Sequence, residues 1–455
     1  MMRRIVLPVC LMLSACMPGV PTETATRAAP FTDSSLPPMK VFSQPRPTVQ
    51  VHSNSDIAQD FLDLAFMLES GRHLPHFSRF EGPVSVRVTG QPTGSLGLDL
   101  NRLLARLRTE AGIDIRLTDR PDANITIQAV TRADIRRNLP QAACFVVPNI
   151  SRLSEYRKAR RSARTDWGQL KTRERLAIFL PADAAPQEVR DCLHEELAQA
   201  LGPLNDLYRL PDSVFNDDNI HTVLTGYDMM ILRLYYAPEL RAGMSRGQVA
   251  ARLPDLLARI NPAGQNLPPR RAGSTPRSWI LAVQTALGPG AAPAERRRAA
   301  EQALQIARTM GWQDHRMAFS HYAMGRLTQR MDDGVAQEHF VAADHYYAQQ
   351  PHTGIHRAYV ASQLAAYAVA QGRGQDALTL VTQHIDTVAR HENAALLATL
   401  LMLRAEALDL LNRPSEAERS RLDSLGWARY GFGADWAVRA KLREVASLNP
   451  VTGRN

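Results

Sequence analysis

The chain has 455 residues, of which 45% are hydrophobic, 22% charged and only 6% aromatic. That composition supports two or three folded domains with real cores, and it excludes both a wholly disordered chain and a small scaffold built on disulfides. Net charge is +9, nearly all of it arginine, since Lys40, Lys158, Lys171 and Lys441 are the only lysines; the arginines alternate with acids instead of forming a stripe, which favours a compositional preference over a phosphate-binding surface.

Arg3 and Arg4 precede a short apolar run at residues 5–13, and Leu13-Ser14-Ala15-Cys16 then places small residues before a cysteine. The run is too short to span a bilayer and reads as a removable export signal. Its end resembles the lipobox of bacterial lipoproteins. The resemblance implies cleavage before Cys16, lipidation of the Cys16 thiol, and a lipid-anchored, periplasm-facing protein of the bacterial cell envelope. Met17 stands where retention at the inner membrane often involves an aspartate, so the same resemblance favours the outer membrane. An ordinary signal peptide with an incidental cysteine is the alternative. Residues 17–55, rich in Pro, Thr and Ser, read as a flexible tether. In an oxidising compartment Cys144 and Cys192 are most simply a disulfide, with two separate buried thiols as the alternative.

Residues 56–70 carry apolar side chains at helical spacing, and Gly71 closes the run. Residues 83–88 alternate as a half-buried strand, and residues 96–111 form an amphipathic helix stopped by Gly112. Strand patterns follow at residues 113–117, 124–130, 143–147 and 176–180. The arginine-dense stretch 151–175 reads as an exposed loop. Pro186 then opens a helix that runs to Leu201 and ends at Gly202.

That last helix carries Leu193-His194-Glu195-Glu196-Leu197-Ala198-Gln199-Ala200-Leu201-Gly202-Pro203-Leu204-Asn205-Asp206. The element order and this segment resemble the metzincin zinc peptidases, whose active helix reads H-E-x-x-H-x-x-G-x-x-H/D. The resemblance implies a metzincin-like α/β (α+β) domain with a mixed sheet. Ser213-Val214-Phe215-Asn216 stands in place of the methionine turn, and Leu224-Thr225-Gly226-Tyr227-Asp228 leads to Leu234-Tyr235-Tyr236. A zinc helix needs donors at i and i+4. If His194 is the first donor, the second position is Ala198, which has no lone pair to give. If Gly202 sets the register, Glu196 takes the catalytic-base position and the donors become Glu195, Gln199 and Asn205, a poor set for zinc. The domain is therefore expected to be a peptidase-like scaffold without its zinc motif.

A closer resemblance, from Asp56 to about Met244, is to domain-of-unknown-function family 2927 of proteobacterial lipoproteins. It rests on Ser70-Gly71, Gly82-Pro83-Val84, Cys144, Cys192, His194-Glu195-Glu196, Gln199, Gly202, Asn205-Asp206, Phe215-Asn216-Asp217 and Asp228 onward. The family has no assigned activity. Glu196 is the candidate catalytic residue, and His194, Glu195, Gln199, Asn205, Asp206, Asn216 and Asp217 are the candidates for binding or for holding a metal. An oxygen-rich group of this kind suits calcium more than zinc. The competing reading is that these side chains cap helices and tie loops, with no cofactor bound.

Residues 246–275 read as a linker with one short helix and several prolines. From 276 to 450 the chain is rich in Ala and Leu, without strand signals. Ala300, Ala336, Ala377 and Ala417 recur at intervals of 36, 41 and 40 residues (336−300, 377−336, 417−377). This period points to an all-α domain of stacked helical hairpins, and the small-residue spacing resembles tetratricopeptide repeats. Trp312, Tyr322, Tyr346 and Tyr347 either line a peptide groove or pack between helices. The expected function is non-catalytic binding of a protein or cell-envelope partner, with a metal-dependent hydrolase around His194, Glu195 and Glu196 as the alternative. The membrane is met through the lipid, and no nucleic-acid partner is expected.

Overall fold

The computed structural model describes residues 36–42, 52–270 and 273–451. The expected export signal, Cys16 and most of the expected tether lie outside the described residues. A five-stranded sheet organises the first half, formed by β1 (Val84–Gly90), β2 (Ile115–Leu117), β3 (Ile125–Val130), β4 (Phe145–Pro148) and β5 (Leu176–Pro181) in the order β2-β1-β3-β5-β4. Every pairing is parallel except β4 with β5. β5 (LAIFLP) is buried throughout, as a strand with neighbours on both edges and layers on both faces requires.

Helices α1 (Asn54–Ala65), α2 (Leu96–Glu110), α3 (Arg132–Asn138), α4 (Leu153–Ala159), α5 (Pro186–Leu201) and α6 (Gly226–Tyr235) surround the sheet. Ile125, Ile127, Ile178 and Leu180 on one face share a core with the leucines of α2 and α5. On the other face Phe145, Val147, Ala177 and Phe179 pack with Ile135 of α3 and with Leu153 and Tyr156 of α4. The stretch 151–175 is therefore not an exposed loop. Its apolar side chains cover the sheet, and its arginines point outward or into hydrogen bonds. α1 also ends sooner than its periodicity suggests, because the chain doubles back in a bridge between Met67 and His73 around Gly71 (φ 83°).

Cys144, just before β4, and Cys192 in α5 form a disulfide, with their Cα atoms 5.9 Å apart. Residues 246–275, expected as a linker, hold α7 (Arg246–Ala250) and α8 (Leu253–Ile260), and Val249, Leu253, Leu256 and Leu257 join the first core. Parts of the expected tether are seated as well. Phe42 stacks on Trp427 at 4.5 Å between centroids, and His52 and Ser53 are buried.

Among the described residues nine further helices follow: α9 (Arg277–Leu287), α10 (Pro293–Thr309), α11 (His315–Thr328), α12 (Asp333–Ala348), α13 (Gly354–Ala370), α14 (Gly374–Arg390), α15 (Ala394–Leu410), α16 (Pro414–Phe432) and α17 (Asp435–Ala446). The first eight pair as four consecutive hairpins. Ala300, Ala336, Ala377 and Ala417 all fall on the second helix of a pair and are fully buried. A larger side chain there would force the helices apart. Trp312, Tyr322 and Tyr347 are packing residues inside the array, whereas Tyr346 is half-buried. Among the described residues no helix is long and apolar enough to cross a membrane.

Candidate functional site

Helix α5 positions the candidate side chains, and both of its ends are fixed by identifiable contacts. Pro186 starts it at a place where a missing N–H costs nothing. At the other end the buried Arg173 guanidinium donates to the carbonyls of Gln199 (2.5 Å), Ala200 (2.8 Å) and Gly202 (2.5 Å). These are carbonyls that a helix terminus leaves without partners, and the cation also meets the negative end of the helix dipole. Gly202 is needed because Tyr235 lies against it, and an added Cβ would stand 2.8 Å from that ring.

The candidates divide between different sides of α5. His194 is buried, and its Nδ1 accepts the Leu224 N–H at 3.0 Å. Burial, and then the nearby Arg190 and Arg106, hold its pKa well below the usual imidazole value, so the ring stays neutral. It lines a narrow crevice with Asp99, Arg102, Arg106 and Arg190. One turn beyond it Ala198 is fully buried in the core.

Glu195 and Gln199, four residues apart, share another face. Gln199 faces Glu69, which the turn after α1 brings in. Burial, then the charges of Glu69 and Asp217, push Glu195 up to about 8. Glu196 is raised well above its ordinary value by burial and then by Glu195 and Glu69. Asp206 is raised by burial and by the same acids together with Asp217. One carboxylate oxygen of Glu196 and one of Asp206 are buried without a hydrogen-bond partner. The result is a cluster of five acids, Glu69, Glu195, Glu196, Asp206 and Asp217, each with its pKa raised, first by burial and then by neighbouring acids. No three of them bring one oxygen each within 4.8 Å of one another.

The remaining candidates tie loops. Asn205 donates to the Asp63 carbonyl at 3.1 Å, which turns its amide toward α1. Asn216 donates to the Leu210 carbonyl at 2.8 Å and to Asp218 at 2.9 Å. Asp217 accepts from Tyr208 at 3.0 Å and from Gln284 of α9 at 3.1 Å. Phe215, in the place expected for a methionine turn, is a core residue. Asp228 forms a capping box with Thr225 at the start of α6 and also binds Ser213 and the Val214 N–H. Glu69 was not readable as a member of this group, because it lies far from α5 in sequence, and neither Glu69 nor Tyr208 belongs to a spacing motif.

Fold and site together define an α/β domain that carries an acid-rich, zinc-motif-free helix and continues into helical hairpins. Within it, residues 54–255 match the family described as Protein of unknown function (DUF2927), which bears out the family resemblance read in the sequence over α1 to the start of α8. Neither a curated protein nor a solved structure matches the chain.

Proposed function

We propose that this chain is an exported, lipid-anchored protein of the bacterial cell envelope that binds a protein or envelope component without cleaving it. The observation that carries the reading is on α5. Where a zinc helix would place its second donor there is buried Ala198, and the first imidazole is held by the Leu224 N–H. The positions set by Gly202 supply Glu195, pushed up to about 8 by burial and neighbouring acids, the neutral amide of Gln199, and an asparagine tied to α1. The Cys144–Cys192 disulfide supports an oxidising compartment, and the Leu13-Ser14-Ala15-Cys16 motif supports a lipid anchor. For a binding surface the hairpins offer an open groove of about 640 Å³ on α11 and α12, lined by His321, Gln337, Glu338, Val341, His345 and Tyr346. Val341 is 54% exposed there.

A second reading, metal-dependent hydrolysis, is favoured by one observation: strongly shifted, partly unpaired acids such as Glu196 also mark catalytic sites. Peptide hydrolysis by the zinc-supplemented chain, compared with its Glu196→Gln variant, separates the two. Binding alone gives no turnover above the blank for either protein. Turnover that Glu196→Gln abolishes would establish the hydrolase. The anchor is tested separately by incorporation of labelled palmitate, which Cys16→Ala should abolish.

A further inference from the structure

Three polar side chains from distant parts of the chain converge where the α/β domain meets the hairpins. His52 precedes α1, Asp212 lies in the loop between α5 and α6, and His352 lies in the turn between α12 and α13. One ligating atom from each stands within 4.8 Å of the other two, and among the described residues this is the one group of three or more His, Cys, Asp or Glu side chains that does so. His52 Nε2 is 2.7 Å from Asp212 Oδ2, and the two imidazole centroids are 5.0 Å apart. Asp212 is fully buried, and its Oδ1 has no hydrogen-bond partner.

We propose that His52, Asp212 and His352 bind a zinc ion. Two imidazoles and a carboxylate are a donor set that zinc favours. A tetrahedral ion with bonds of about 2.0–2.2 Å separates its ligand atoms by about 3.4 Å. The His52–Asp212 contact of 2.7 Å therefore opens by about 0.7 Å, and His352, whose ligand atom lies within 4.8 Å of the other two, closes in by no more than about 1.4 Å. When zinc replaces that hydrogen bond, the His52 Nε2 lone pair faces the metal and the ring proton resides on Nδ1. The half-exposed edge of His352 gives the ion its way in and leaves the fourth position to water.

The supporting shell is already in place. Thr225 Oγ1 donates to the Asp212 carbonyl at 2.6 Å, Asn261 donates to the His52 carbonyl at 2.8 Å, and Tyr227 stands edge-on to His52 at 4.8 Å. The nearby Arg270 cation is engaged by Asp56 and Asp60. His352 holds a left-handed backbone (φ 65°), and Gly311 has the same φ in the turn between α10 and α11. A side chain in that conformation is strained where a glycine is not. In the turn between α14 and α15, Glu392 (φ 52°) uses the same conformation to pair with Arg190 of the α/β domain. The ion would thus clasp the segment before α1, the α5–α6 loop and the turn joining the second and third hairpins together, away from the acids of α5.

The test is zinc binding by the full-length chain, stripped with EDTA and followed by calorimetry and elemental analysis. One zinc per chain is expected. His352→Ala should weaken binding at least tenfold, as should Asp212→Asn, while His345→Ala and Glu196→Gln should leave it unchanged. His352→Ala alters only a half-exposed turn, so it decides the matter even if Asp212→Asn does not fold. Cobalt in place of zinc should give visible d–d bands that His352→Ala loses. Failure of the wild-type chain to retain stoichiometric zinc, or equal retention by His352→Ala, would overturn the proposal. Zinc lost specifically in Glu196→Gln would place the metal on α5 instead and would also count against the binding-only function.

Discussion

Glu195 and Glu196 occupy a place where negative charge is poorly tolerated. Each faces other acids, and the arginines near α5 are committed elsewhere: Arg173 to helix carbonyls, and Arg190 to Glu392 and its carbonyl. A Glu196→Gln change replaces an acid whose charged form burial disfavours by a neutral amide of the same shape. It should move stability by less than about 1 kcal/mol, as measured by urea unfolding. The pH dependence has a definite sign. In the folded chain Glu195 is pushed to about 8, above its ordinary 4.5, so the native state holds that proton more tightly than the unfolded state does. The contribution is complete below about pH 4.5 and is lost as pH rises toward 8. The urea midpoint should therefore fall between about pH 5 and pH 8, and Glu195→Gln should flatten that fall. His194, Glu195 and Glu196 were visible in the sequence as the chemically richest spot. Their division between two sides of α5 was not, because it depends on Glu69, Asp217 and Leu224.

α5 was legible from end to end, since Pro186 and Gly202 are local signals that need no tertiary information. α3 and α4 were not. They are seven residues each, too short to be stable alone, and Ile135, Leu153 and Tyr156 are too sparse to show a period. These helices exist because β5 offers them an apolar face. The same distinction governs stability. Arg173→Met should cost about 3 kcal/mol, because it leaves three carbonyls at the end of α5 unpaired. A matched fall in the thermal midpoint would show it. Reduction of Cys144–Cys192 frees a loop spanning 48 residues and should cost about 4 kcal/mol by the chain-entropy relation. Denaturant curves with and without reductant measure that directly.

At the level of the whole molecule, the 36- to 41-residue alanine period identified the hairpins but not what they pack against. The loop between α5 and α6 runs along their turns and helix starts. Tyr208 meets Trp279 edge-on and its carbonyl pairs with His315, Asp218 pairs with His356 at 3.0 Å, and Thr222 reaches the turn before α15. Gln187 of α5 meets Asn393, and Asp99 meets Tyr430. These partners lie more than 60 residues apart, so no window of sequence could pair them. They make the hairpins a support for the α/β domain. The most direct single measurement is anomalous diffraction at the zinc edge from crystals of the full-length chain grown with zinc. A peak is expected among His52, Asp212 and His352, with none beside α5. A peak bounded by Glu195, Glu196 and Gln199 would contradict the central claim that this helix has no metal to cut with.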